Sequence, residues 1–240
     1  MVTFPIKSLQ HPIVKELMAL RKSTKRRHQA GEVLICGYKM VKELGPRLST
    51  LLVTKDEPDL PHVKPTYLVT PEIIQKITGL PNPEGCVATL PLPPSADLSQ
   101  KKRLLILDNI SDPGNLGTLL RTAYALGYEG ACLINGVDPF NDKALRAAKG
   151  ATFHLPLSIG NLDNALPYLS SHRAFAGTLN GKPLHTCKAS EPFAVIVSNE
   201  SHGLSPKLAA MCEHVTIPIS DTDSLNVAVA GGILLYALNT

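Results

Sequence analysis

Three short runs of this sequence put amides, hydroxyls and charges where an apolar segment gives way to a helix. The first is Leu107-Asp108-Asn109-Ile110-Ser111-Asp112-Pro113-Gly114-Asn115-Leu116-Gly117, continuing to Arg121. An asparagine amide both donates and accepts, and a guanidinium offers five donors in a fixed fork suited to phosphate or to charge developing on oxygen. Asn115 and Arg121 are six residues apart, nearly two helical turns, so they need not share one face. In the second run the apolar residues 194–197 meet Ser198-Asn199-Glu200-Ser201-His202-Gly203-Leu204-Ser205-Pro206. In the third, Ile217-Pro218 leads through Ser220-Asp221-Thr222-Asp223 to Ser224-Leu225-Asn226-Val227. Taken singly, each is also what an ordinary strand–turn–helix looks like: Asn199 and Gly203 can simply shape a turn. Ala228, Ala230, Gly231 and Gly232 can serve close packing alone. His202 is a lone loop histidine and reads as incidental, neither a metal ligand nor a base.

Residues so placed need strands that end at them. Residues 104–107 read as a buried-type strand, 115–126 as a helix that Asn115 can cap, 131–134 as a strand and 143–148 as a short helix. The segments 162–169, 174–178, 194–197, 206–212, 215–219 and 226–238 continue the alternation. That pattern predicts a parallel sheet with helices on both faces. In such sheets ligands bind beyond the carboxyl ends of the strands. No GxGxxG follows the first strand, so the usual dinucleotide site has no support.

The first 90 residues mix short elements. Leu9, Ile13, Leu17 and Leu20 recur at helical spacing, and residues 21–27 continue that helix or follow it as a basic loop. Strands are expected at 33–36, 51–54 and 85–90, with helices at 37–44 and at 70–77, the latter opened by Thr70 and Pro71. Pro91, Pro93, Pro94 and Ser95 suggest a linker. The expected organisation is a domain over 1–92, a linker over 93–101 and a second domain over 102–240.

Apolar residues make up 44% of the 240 and charged residues 18%, a globular composition without tryptophan. The net charge of +4 is unevenly spread. Lys7, Lys15, Arg21, Lys22, Lys25, Arg26 and Arg27 face one acid, Glu16, in the first thirty residues. Such a cluster attracts nucleic acid by releasing counterions from phosphates, although a solvated helix face has the same composition. Five scattered cysteines without a CxxC pair argue against a disulfide framework or a zinc site. With no signal-like segment and no span long enough for a bilayer, a cytoplasmic location is expected.

In this order the three runs resemble the signature motifs of the SpoU (TrmH) family of SPOUT methyltransferases, over roughly residues 103–238. The match rests on Asn115 with Arg121, on Asn199-Glu200 with Gly203-Leu204-Ser205, and on Ile217-Pro218 with Ser224-Leu225-Asn226-Val227. Ser8, His11-Pro12 and Gly37 resemble the family's small substrate-binding domain. The resemblance implies an α/β protein in two parts: a ribosomal-protein-L30e-like domain, then a parallel-sheet domain with a C-terminal trefoil knot. It implies S-adenosylmethionine as methyl donor, a homodimer, and methylation of a ribose 2′-hydroxyl, in ribosomal RNA before transfer RNA. A non-catalytic RNA-binding or ribosome-assembly protein, and a base methyltransferase, are the other readings.

The same resemblance assigns roles. Arg121 is the central catalytic residue. A guanidinium keeps its proton at neutral pH, which favours phosphate orientation and alkoxide stabilisation over base catalysis. Asn115 and Glu200 hold Arg121 and the ribose in register, and Ser224 and Asn226 line the catalytic pocket. Thr178, Ser198, Gly203, Ile217 and Leu225 match the cofactor positions, chiefly through backbone groups. Arg21, Lys22, Lys25, Arg26 and Arg27 form the expected RNA-binding patch, and no metal is expected. Two positions depart from the family: Ser198 stands where a glycine is usual, and residues 220–223 contain no glycine.

Overall fold

The computed structural model describes residues 4–199, 203–220 and 224–239. The chain divides into two compact units, residues 1–93 with 140–142, and residues 94–139 with 143–240.

The first unit contains β1 (Phe4–Ile6), α1 (Pro12–Lys22), α2 (Thr24–Ala30), β2 (Glu32–Cys36), α3 (Tyr38–Glu43), β3 (Thr50–Val53), β4 (Thr66–Val69), α4 (Pro71–Thr78) and β5 (Cys86–Pro91). Its sheet runs β1-β4-β3-β5-β2, with β5 antiparallel to both neighbours. Val14, Leu17 and Leu20 of α1 and Ile73, Ile74 and Ile77 of α4 are buried together against it. The strands β1 and β4 were not expected: β1 has three residues, and the exposed Pro-rich loop before β4 gives it no alternating context.

The basic segment is resolved differently from either expectation. Ser23 is extended (φ −129°, ψ 114°) and ends α1, and its hydroxyl accepts from the Arg26 N–H at 3.2 Å to start α2. Arg27 then turns inward and is only 2% exposed. Its guanidinium donates to the Leu20 and Arg21 carbonyls at 2.6 and 3.1 Å, satisfying the C-terminal end of α1. Arg27 is therefore not part of an exposed RNA-binding patch. Arg26 is held in a bidentate pair by Glu16 at 2.8–3.1 Å. The Arg21 guanidinium lies against Gly79. Lys22 and Lys25 remain exposed.

The second unit contains β6 (Arg103–Asp108), α5 (Pro113–Ala125), β7 (Gly130–Ile134), α6 (Asp142–Ala148), β8 (Leu157–Gly160), α7 (Leu162–Ser171), β9 (Arg173–Pro183), β10 (Phe193–Ser198), α8 (Pro206–Ala209), β11 (Glu213–Thr216) and α9 (Val227–Ala237). Its six strands are all parallel, in the order β11-β9-β10-β6-β7-β8. The central strand β6 is covered on both sides, which explains its continuous apolar run. Leu105 and Leu107 join the core under α5 and α9, while Leu104 and Ile106 join the core on the opposite face with Leu169 and Leu208.

Of residues 93–101, expected as linker, 94–101 belong to this unit. The Ala96 N–H donates to Leu157 O at 2.7 Å, Ile159 N donates to Ser95 Oγ at 3.0 Å, and Leu98 is fully buried. Sheet-edge pairing at β8, absent from the sequence expectation, supplies the partner that holds this proline-rich stretch. β9 runs five residues past its expected end, because β11 pairs with it as far as Thr216 and Pro183. Among the described residues, no helix is long and apolar enough to cross a membrane.

Candidate functional site

A cavity of about 730 Å³ opens at the carboxyl ends of β10 and β11 and against Gly177, Thr178, Leu179 and Asn180 in the middle of β9. Thr178, Ser198, Gly203, Ile217 and Leu225 all line it, as does Ser224. These positions are spread over nearly fifty residues of chain, and strand order brings them together: β9, β10 and β11 are consecutive in sequence but β9 lies between the other two. Val197, Leu204, Val227 and Leu234 supply apolar wall. At Gly177 an added Cβ would lie 2.5 Å from Leu234 Cδ1, so a side chain there would have to displace the end of that leucine. Gly203 has φ +63°, which favours glycine, and among the described residues no heavy atom lies within 4 Å of where a Cβ would stand.

The β10 loop is tied to the β6 loop. Asp108 ends β6 and is 1% exposed. Its main-chain O accepts from Asn199 N at 3.0 Å, and its carboxylate accepts from Ser205 N at 3.3 Å and from Asn109 Nδ2 at 2.7 Å. Asn199 Nδ2 in turn donates to Asn109 O and Ser111 Oγ at 3.0 and 3.1 Å. Asp108 thus fixes residues on both sides of Gly203, a role its sequence position at a strand end does not disclose.

The start of α5 corrects one expectation. Asp112, not Asn115, is its cap: Asp112 Oδ1 accepts from Asn115 N at 2.8 Å, and Pro113 occupies the first turn. Lys143 Nζ and the Asn115 N–H hold the Asp112 carboxyl below the usual carboxylate range. Because Asp112 does the capping, the Asn115 side chain is available elsewhere. It accepts at Oδ1 from Asn226 Nδ2 at 3.2 Å. Asn226 itself caps α9, its Oδ1 accepting from Ala228 and Val229 N–H at 2.9 and 3.3 Å.

Arg121 stands on the exposed face of α5, outside the cavity wall. Glu200, His202 and residues 221–223 lie outside the described residues. Burial pushes the Cys132 and Cys212 thiols up to about 11, which disfavours thiolate chemistry at these two residues. Among the described residues, no group of His, Cys, Asp and Glu is arranged to hold a metal ion.

Fold and cavity place the chain among the SPOUT methyltransferases. A model of the SpoU rRNA Methylase family matches residues 102–236, and the chain belongs to that family. It is 33% identical over 245 residues to the 23S rRNA (guanosine(2553)-2′-O)-methyltransferase RlmP of Bacillus subtilis, an alignment covering 97% of this chain and 98% of that protein. It is 32% identical to the 23S rRNA (guanosine-2′-O-)-methyltransferase RlmB of Acinetobacter baylyi, over 68% of this chain and 73% of that one. The solved structure of an AdoMet-bound rRNA methyltransferase from Sinorhizobium meliloti superposes with a TM-score of 0.88 at 28% identity, covering 97% of this chain and 96% of that chain.

Proposed function

We propose that this protein methylates a ribose 2′-hydroxyl of ribosomal RNA, with S-adenosylmethionine as donor. The observation that carries the reading is the convergence of Thr178, Ser198, Gly203, Ile217 and Leu225 on one cavity whose neighbouring helix start presents the Asn226–Asn115 pair. The names of the relatives above support the substrate and the modified atom.

The residues fit the donor. A cavity of about 730 Å³ lies within the range of roughly 300–1,000 Å³ common for small-ligand sites. Its apolar wall suits an adenine ring and a thioether chain, and exposed backbone at strand ends supplies fixed donors and acceptors for the ring edge. When bound, S-adenosylmethionine supplies an electrophilic methyl carbon on its sulfonium. Asn226 and Asn115 orient the ribose at the cavity mouth, and Ser224 adds a hydroxyl there. Arg121 binds phosphate and stabilises negative charge developing on the 2′-oxygen. Glu200 keeps the role the family resemblance gives it, holding Arg121 and the ribose in register.

The reading includes a C-terminal knot, supported by the path of α9, which returns from edge strand β11 to pack on β10 and α5. At Gly231 an added Cβ would lie against Leu119 and Val197. It includes a homodimer, supported by Val229, Ile233 and Tyr236, which expose 53%, 39% and 65% of their surface on one face of α9. It also includes an RNA-binding role for the first unit, carried by its exposed Lys22 and Lys25, and action in the cytoplasm. The test is transfer of radiolabelled methyl from S-adenosylmethionine to unmodified 23S ribosomal RNA, with the product nucleotide mapped. A base-methylated product, or no transfer to any ribosomal RNA, sinks the reading.

A further inference from the structure

Arg121 is not alone on the exposed face of α5. Tyr124 lies one turn further on the same face, 47% exposed. Its ring stacks on the exposed His154 at 5.5 Å between centroids with 19° between planes. This flank of α5 is separate from the flank that packs on α9. Gly117 brings α5 so close to α6 that a Cβ would meet Ala144 O, Ala147 Cβ and Ala148 N, and the short helical turn Ala151–Phe153 packs beside it just before His154. On the other flank, Gly231 and Gly232 of α9 approach Leu119 and Thr122.

The segments that carry Tyr124 and His154 are rich in cations. Residues 113–128 and 143–162 contain Arg121, Lys143, Arg146 and Lys149 and no aspartate or glutamate. Lys143 is matched by Asp112, whereas Arg121 and Lys149 are exposed. The hydroxyls of Thr118 and Thr122 bond back to Gly114 and Thr118 carbonyls, at 2.8 and 2.9 Å. Exposed, pre-stacked aromatic rings bordered by cations are what a single-stranded nucleic acid uses: bases stack on the rings while phosphates meet the cations.

We propose that Tyr124 and His154 form a stacking platform for an unpaired base of the RNA substrate, next to the nucleotide served by Arg121. The proposal rests on the RNA reading above and names how the catalytic unit itself grips the strand.

The experiment uses the full chain and a single-stranded oligoribonucleotide carrying one 2-aminopurine, whose fluorescence is quenched by stacking. The wild type and Tyr124→Phe should quench the probe. Tyr124→Ala should remove most of the quenching and weaken binding about tenfold, the scale of losing one base–aromatic stack. His154→Ala should fall between them, and S-adenosylmethionine affinity should be unchanged in all. Equal quenching and affinity in the wild type and Tyr124→Ala overturn the proposal. So does a fall in sedimenting mass for Tyr124→Ala, which would assign this face to a second copy of the chain. Methyl transfer to 23S ribosomal RNA is measured separately. Quenching without transfer sinks the methyltransferase reading and keeps the platform, whereas transfer without quenching does the reverse.

Discussion

Asn226 Nδ2 donates to Asn115 Oδ1 at 3.2 Å, joining the first turns of two helices that begin 114 residues apart in the chain. Asn226 works twice, since its oxygen also caps α9. Asn115 makes no cap with its side chain, because Asp112 has taken that place. The two asparagines should therefore respond differently to substitution. Asn115→Ala should leave stability within about 0.5 kcal/mol of wild type, as expected where no cap or core contact is lost, yet lower methyl transfer at least tenfold. Asn226→Ala should lose activity and also about 1 kcal/mol of stability with its cap. If the pair acts as one device, the double variant loses no more activity than the worse single variant. Denaturant titration and single-turnover kinetics check both halves; fully additive activity losses would dissolve the pair.

Arg121 lies outside the cavity wall, so removing it should separate chemistry from donor binding. Arg121→Ala should reduce the methyl-transfer rate by about 100- to 1,000-fold, as for loss of one donor to a developing oxyanion. S-adenosylmethionine affinity by calorimetry should not change. Lysine should rescue poorly, since it lacks the planar fork. A weakened donor affinity would mean that Arg121 shapes the cavity.

Asp108 is a buried carboxylate whose acceptors hold the Ser205 N–H and the Asn109 amide. In Asp108→Asn one acceptor becomes a donor facing a donor. The expected result is a stability loss of about 1–3 kcal/mol. With it should come a clear rise in the KM for S-adenosylmethionine and little change in the KM for RNA, because Gly203 and Ser198 line the cavity. Equal rises in both KM values would show general loosening of the fold.

The Asp112 cap carries a pH signature. Lys143 and the Asn115 N–H depress its carboxyl in the folded state, so its stabilisation is present above the unfolded carboxylate value near about 4. It is lost as pH falls through the lower folded value. Asp112→Ala should cost about 1 kcal/mol at pH 7, and the gap to wild type should close on acidification below about pH 4. A gap independent of pH in that window would assign the effect to packing.

In the basic segment, position decides the outcome. Replacing the exposed Lys22 and Lys25 with Ala should weaken RNA binding and reduce the slope of log affinity against log salt by about 0.7 per lost phosphate contact on a single strand. Arg27→Ala should instead cost about 2 kcal/mol or more of stability, since the buried guanidinium satisfies two carbonyls at the end of α1. An unchanged salt slope in the lysine pair would remove this helix from RNA recognition.

Local chemistry made much of this legible in sequence. Apolar runs of four or five residues marked β6, β7 and β10, because strands buried on both faces need no alternation. The motif order marked the positions that line the cavity. The first cap was misread, since Asp112 and Asn115 are both good capping residues, and only Pro113 in the first turn distinguishes them. Arg27 looked like its charged neighbours because burial of a guanidinium depends on carbonyls at the end of α1 turning toward it. The gathering of Thr178, Ser198, Gly203, Ile217 and Leu225 was likewise a matter of tertiary structure. The change from apolar to polar residues marks the end of β10 in the sequence, but the extent of β9 and the order β11-β9-β10-β6 come from tertiary pairing, and that order decides which segments share a cavity.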